Sequence, residues 1–217
     1  MKKSILLIIA TAGLFSCKQA SKSTPESVEI ETVDSVRKYE YADSMGKRLI
    51  IQNGLPKGEG YTDPNGKEYF KTIFWTRIIN ETDNPLELKI DFSVNSYEFP
   101  SSHSRRFKIL LLADTMTFDK EPFHDYCITD LKSFLDNRIY HPSSLKRTIS
   151  SKESSGFYVV ILFEKGLVGP FRTGLSITGR NLFYRVSQYD STPSHSLVDD
   201  KEIICGSINL KNLVLQK

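Results

Sequence analysis

The chain has 217 residues, 39% of them hydrophobic, and its 29 basic and 26 acidic side chains leave a formal net charge of +3. That apolar fraction suffices for a packed core, and the length suits one large or two small domains. The near-neutral balance offers no basic face for nucleic acid, and the sequence has no Cys-x-x-Cys or paired-histidine spacing to hold zinc.

Lys2 and Lys3 precede an apolar run from Ile5 to Phe15 that ends in small residues. A positive segment followed by such a run is the layout of a secretory signal peptide, predicted over residues 1–16. A membrane-spanning helix needs about 20 apolar residues, and this run falls well short. Leu14-Phe15-Ser16-Cys17 resembles the lipobox of bacterial lipoproteins. The resemblance implies cleavage before Cys17 and acylation of its sulfur and new amino group, with chains such as palmitate. Each buried methylene contributes about 0.8 kcal/mol, so more than one chain gives a stable membrane anchor. Enterobacterial lipoproteins are held at the inner membrane when aspartate follows the cysteine. Lys18 follows it here, which favours the outer membrane. Lys18 and Gln19 also depart from the acidic run that marks surface display in one Gram-negative group, so a periplasm-facing position is favoured.

Residues 17–45 carry Cys17 and then Ser, Thr, Lys and Glu with Pro25 and few bulky apolar groups. Such a stretch buries too little surface to offset chain entropy and is predicted to be a flexible tether. Asp34-Ser35-Val36, Asp43-Ser44-Met45 and Asp114-Thr115-Met116 resemble an O-glycosylation signal of certain envelope proteins.

Residues 46–217 are predicted to form one domain, and from Lys47 onward the pattern repeats every two residues. Leu86 to Asn95 alternates apolar and polar side chains, as a half-buried antiparallel strand requires. Tyr69 to Ile79 is β-branched and aromatic, a second strand. Between them Asn80-Glu81-Thr82-Asp83-Asn84-Pro85 is turn chemistry and predicts a hairpin. This strand-turn-strand passage resembles immunoglobulin-like sandwich domains over about thirty residues. Further strands are predicted at 107–113, 157–163, 175–178, 182–187, 203–208 and 213–215. Thr178-Gly179-Arg180-Asn181 is a tight reversal, and Lys165 to Pro170 another. Thr129 or Asp130 can cap one short helix carrying Leu131, Phe134 and Leu135 at helical spacing. Many short strands and one minor helix give a mainly β fold, an antiparallel β-sandwich.

With Cys17 acylated, Cys127 and Cys205 remain. An oxidising envelope allows them to pair, but Cys205 alternates with apolar neighbours as a buried free thiol does, and the unpaired state is favoured. His103, His124, His141 and His195 stand alone in polar stretches and are expected to be solvated loop residues. Ser154-Ser155-Gly156 lacks the nucleophile elbow, and Gly58-Glu59-Gly60 lacks the rest of a phosphate loop. Asp63-Pro64-Asn65-Gly66 begins like a calcium loop, but Lys67 would repel the cation. A β-turn is expected, with Pro64 second and Gly66 at positive φ. Trp75 sits among Ile73, Phe74 and Ile78 and is expected to be buried. Tyr61, Phe99, Phe123, Tyr126, Tyr140 and Tyr189 are the aromatics expected in exposed loops.

No catalytic residues and no cofactor are expected. The pattern points to an envelope-anchored, non-enzymatic module that binds a protein or glycan partner through loops at one end of the sheets. A hydrolase or glycan-processing enzyme with acids drawn from Glu121, Asp125, Asp199 and Asp200 is the rival, and a structural envelope lipoprotein the third alternative.

Overall fold

Twelve β-strands and one α-helix form in the computed structural model, which describes residues 36–43, 45–164 and 169–209. The signal peptide, the lipobox with Cys17, the tether as far as Ser35 and the strand expected at 213–215 lie outside the described residues. The strands are β1 (Arg37–Ala42), β2 (Arg48–Asn53), β3 (Lys57–Thr62), β4 (Glu68–Asn80), β5 (Leu86–Phe92), β6 (Tyr97–Phe99) and β7 (Ser102–Thr115). After a 3-10 turn (Phe118–Lys120) and α1 (Leu131–Arg138) come β8 (Ser143–Ile149), β9 (Ser154–Glu164), β10 (Phe171–Thr178), β11 (Asn181–Tyr189) and β12 (Leu197–Asn209).

A seven-stranded antiparallel sheet runs β1-β2-β4-β9-β7-β6, with β3 also paired to β4, and a five-stranded one runs β10-β11-β12-β5-β8. Both curl, and they face each other as a β-sandwich. Phe74, Phe157, Val159, Ile161 and Phe163 of the larger sheet meet Leu88, Ile90, Phe92 and Tyr184 of the smaller one. Fully burying each such side chain contributes about 1.5–3 kcal/mol. A second apolar cluster lies on the outer face of the seven-stranded sheet. There Ile73, Trp75, Leu110, Tyr158, Val160 and Leu162 are covered by Met116, Tyr126, Ile128, Leu131, Leu135 and Ile139. Residues 116–139 are therefore a third layer. Gly54 is required beneath it, because a Cβ there would fall 2.2 Å from the Trp75 indole.

Two expectations are corrected. The tether does not extend to residue 45, because β1 pairs with β2 from Arg37↔Asn53 to Ala42↔Arg48. Arg37, Tyr39 and Tyr41 point inward while Lys38 and Glu40 face solvent, an alternation obscured by its polar surroundings. The predicted hairpin is also absent. β4 pairs with β2, β3 and β9, whereas β5 pairs with β12 and β8, so the link 81–85 carries the chain from one sheet to the other. Asn80 explains the crossing. Its buried side-chain amide donates to the carbonyls of Asn84 (2.8 Å), Ile149 (3.2 Å) and Ser150 (3.0 Å). Its Oδ1 accepts from the Thr82 amide (3.0 Å) and hydroxyl (2.6 Å). The side chain thereby ties this link to the β8–β9 link, which crosses between the sheets in the opposite direction.

The helix forms where its spacing predicts, but without the expected cap. Asp130 adopts φ 53° and its side chain makes no capping bond.

Candidate functional site

Four of the six aromatics expected in exposed loops are buried: Tyr61, Phe99, Tyr126 and Tyr189. The third layer and the sandwich core absorb them, because loops that cover a sheet need apolar anchors of their own. Phe123 and Tyr140 remain exposed. Trp75 is buried, with the Phe118 ring edge-on at 5.6 Å.

The four candidate acids do not converge. Glu121 and Asp125 belong to the covering layer, where the Asp125 carboxylate accepts from the Cys127 amide at 2.9 Å. Asp199 and Asp200 lie on β12 of the other sheet. Asp199 accepts from the amide and hydroxyl of Ser101, and Asp200 from the Ser187 hydroxyl at 2.8 Å. The Asp125 carboxylate thus fixes its own turn, while Asp199 and Asp200 bond residues of neighbouring segments. His124 and His141 are exposed, and His195 is half-buried beside the Asp190 carbonyl. The side chain of His103 lies outside the described residues. Among the described residues, no three His, Cys, Asp or Glu side chains gather as a metal ion would need. Cys127 is an exposed free thiol and Cys205 a buried one in the sandwich core. The seven-stranded sheet stands between them, so the bridge that an oxidising envelope would allow is not formed.

What the fold does assemble is a polar and aromatic patch around Tyr140. The β3–β4 turn supplies one side. Its Gly66 amide donates to the Asp63 carbonyl at 3.0 Å with Gly66 at φ 80°, the β-turn its sequence predicts. Asp63 Oδ1 accepts from the amides of Asn65 (2.9 Å) and Lys67 (2.8 Å), which fixes the turn and leaves Oδ2 free to reach outward. Tyr140, two residues past α1, donates its hydroxyl proton to that Oδ2 at 2.6 Å and accepts from Asn65 Nδ2 at 2.7 Å. The ring is thus held at its tip while the residue stays 47% exposed.

Charges of both signs surround it. Lys108 Nζ lies 5.8 Å from the ring centroid, and Lys67 Nζ bonds Glu164 at 2.6 Å. Burial pushes the Asp63 carboxyl up, but the bonds from Tyr140 and from the Lys67 and Asn65 amides outweigh it and leave the group below the usual carboxylate range. The same Asp63 bond raises the Tyr140 phenol, so the hydroxyl keeps the proton it donates. Lys67 is raised by its Glu164 bond, and Lys108 is lowered by burial and by the Lys67 charge nearby. Chemically this is a rigid, half-open aromatic face ringed by an amide, two ammonium groups and two carboxylates. It has no nucleophile paired with a base. Such a face can stack against a flat apolar surface and exchange hydrogen bonds with hydroxyls around it. Tyr140 and the Asp63 turn were each visible in sequence as separate features, but they are 77 residues apart and nothing in the sequence joins them.

No protein-family model, no curated protein and no solved structure matches this chain.

Proposed function

We propose that the protein is a lipoprotein of the bacterial envelope, anchored through acylated Cys17, whose sandwich is a non-enzymatic module for binding glycans. The lipobox supports the anchor, with the outer membrane favoured over the inner and the periplasmic side over the surface. The pinned, half-exposed ring of Tyr140 carries the glycan reading. Sugar rings present an apolar C–H face bordered by hydroxyls, and the Tyr140 patch offers the complement of both. The separation of Glu121 and Asp125 from Asp199 and Asp200 weighs against the hydrolase alternative, which needs two carboxyls facing one bond.

The test is titration of the full chain in detergent with soluble peptidoglycan fragments and other oligosaccharides, followed by calorimetry. Tyr140→Ala is expected to weaken binding about tenfold or more, and Tyr140→Phe by less, since it keeps the ring and loses only the tether to Asp63 and Asn65. No binding by the unaltered chain would refute the glycan reading, and release of shortened sugars would favour the enzyme. Cys17→Ala should abolish incorporation of labelled palmitate; persistent label would overturn the anchor.

A further inference from the structure

The two seams of the sandwich, where the edge of one sheet approaches the edge of the other, are closed differently. Along β10 the free edge is occupied by side chains of the opposite sheet. Asn53 acts there as a substitute peptide group. Its Oδ1 accepts from the Leu175 amide at 2.9 Å, its Nδ2 donates to the Leu175 carbonyl at 3.4 Å, and Thr76 supports it at 3.0 Å. The Ile177 amide donates to the Tyr41 hydroxyl at 2.7 Å. At the other seam β8 is the edge strand and β7 faces it. There the closure is one residue deep, the Ser143 hydroxyl bonding the Leu111 amide at 2.6 Å. Beyond it, among the described residues, the backbone of Ser144 to Thr148 bonds only to β5. An open strand edge is a template for another strand.

Each face of the sheet beside β8 carries a hollow. The inner one, about 290 Å³, is lined by Leu111, Phe134, Arg138, Leu145 and Arg147. The outer one, about 360 Å³, lies across β8, β5 and β12 and is lined by Lys146, Thr148, Glu87, Lys89, Ser207 and Asn209. Successive residues of an added strand would point alternately toward the inner hollow and toward the solvent face beside Lys146, since side chains alternate across a strand. The charges around the edge are unbalanced. Arg147 lies on the inner, half-buried face of β8, and among the described residues it meets no carboxylate. Among the described residues, Arg138 bonds only the Pro142 carbonyl, at 3.3 Å, and exposed Lys146 has no partner. Lys89 is already paired with Asp91 at 2.8 Å, and Glu87 accepts from Asn209 at 3.3 Å. A cation on the inward face of a strand is costly unless something neutralises it.

We propose that the free edge of β8 binds an extended, acidic segment of a partner polypeptide as an added strand, with its carboxylates meeting Arg138, Arg147 and Lys146. Backbone bonds to Ser144–Thr148 supply general affinity, and the cations select acidic side chains. This surface does not depend on the glycan reading. The competing account is that Arg147 and Lys146 guard the edge and nothing docks there.

The experiment uses the full chain in detergent and a fluorescein-labelled synthetic peptide of alternating valine and glutamate, with a valine–lysine peptide for comparison. Anisotropy should report binding of the glutamate peptide alone, and hydrogen exchange should slow at Ser144–Thr148. Arg147→Glu should weaken binding about tenfold or more. Lys146→Glu, on the exposed face and safe for folding, should weaken it in the same direction. Equal binding of both peptides, or binding without protection of β8, would overturn the proposal. So would failure of the glutamate peptide to bind, and if Arg147→Val then self-associates in sedimentation, the guard account is the correct one.

Discussion

In β9 every residue from Gly156 to Phe163 is buried, whereas in β5 burial alternates strictly, with Leu86, Leu88, Ile90 and Phe92 inside and Glu87, Lys89 and Asp91 outside. The two strands lie in facing sheets and share the same core, yet only β9 has a layer on its other side. Lys57 helps to fasten that layer, its ammonium donating to the Glu121 and Phe123 carbonyls and lying 4.1 Å from the Tyr126 ring centroid. The open face of β5 needs polar side chains because water replaces the layer. The difference teaches that strict alternation marks a strand with one wet face, while a continuous apolar run inside an antiparallel sheet marks one that something else must cover.

The sharpest way to break this comparison is to place a carboxylate at neighbouring positions in each strand. Val159 and Val160 point to opposite faces of β9, and both are fully buried. Val159→Asp and Val160→Asp should each leave the domain unfolded. An unpaired buried carboxylate costs several kcal/mol, comparable with the roughly 5–15 kcal/mol stability of a domain. Phe92→Asp in β5 should do the same. Far-UV circular dichroism in buffer checks all three, and a folded Val160→Asp variant would show that the covering layer does not pack on the sheet.

Truncating the layer's own anchor comes next. Leu135 is fully buried beneath α1, and Leu135→Ala should cost about 2–5 kcal/mol in urea unfolding. If the layer comes away as a unit, Cys127 and Cys205 distinguish the two regions. Burial pushes the Cys205 thiol up to about 12, so it stays protonated and unreactive while the sandwich core is closed. Exposed Cys127 should react with a thiol reagent at once, and Cys205 only on global unfolding, in the parent and in Leu135→Ala alike. Early reaction of Cys205 in the variant would show that the layer and the sandwich core open together.

Asp63 links the layer to the sheet through Tyr140, and this link should respond to pH. Its folded carboxyl lies below the unfolded value of about 4, so it stabilises the fold above that value and the contribution is lost as pH falls through the folded one. Asp63→Asn should therefore cost about 1–3 kcal/mol at pH 7, as expected for bonds to a buried charged group. The gap in urea midpoint between variant and parent should close below about pH 4. A gap independent of pH would mean that the carboxylate's charge is not what holds Tyr140.

Much of the sandwich is legible in sequence. The predicted strands at 107–113, 157–163, 175–178, 182–187 and 203–208 fall within β7, β9, β10, β11 and β12. β1, β2, β3, β6 and β8 are not predicted as strands because they are short, rich in glycine or serine, or flanked by polar residues, and tertiary pairing decides them as much as local propensity. β4 and β5 do not form the hairpin their link predicts, for a different reason. A six-residue polar link serves a hairpin and a crossing equally well, and what decides between them is a bond from Asn80 to Ser150, 70 residues away. The Tyr140 patch and the β8 edge are hidden in the same way. Residue types were visible, but which of them meet depends on contacts that only the folded chain makes.

The smallest expected effect is the most discriminating for the open face. Asp91 neighbours Phe92, yet it points away from the core, and its ion pair with Lys89 at 2.8 Å joins two side chains that are each about half exposed. Exposed pairs of this kind contribute little, because water screens the charges and two long side chains lose freedom in forming them. Asp91→Ser should therefore shift stability by no more than about 0.5 kcal/mol. Tyr158 also points outward from its sheet, but into the covering layer, where its ring lies 5.2 Å from that of Tyr126. Tyr158→Ser should cost about 3–5 kcal/mol, as other large aromatic truncations in cores do. Urea midpoints of the two variants measured side by side give the result. Comparable shifts would mean that the outer faces of the two sheets do not differ as their burial indicates, and that something in solution covers the face of β5 as well.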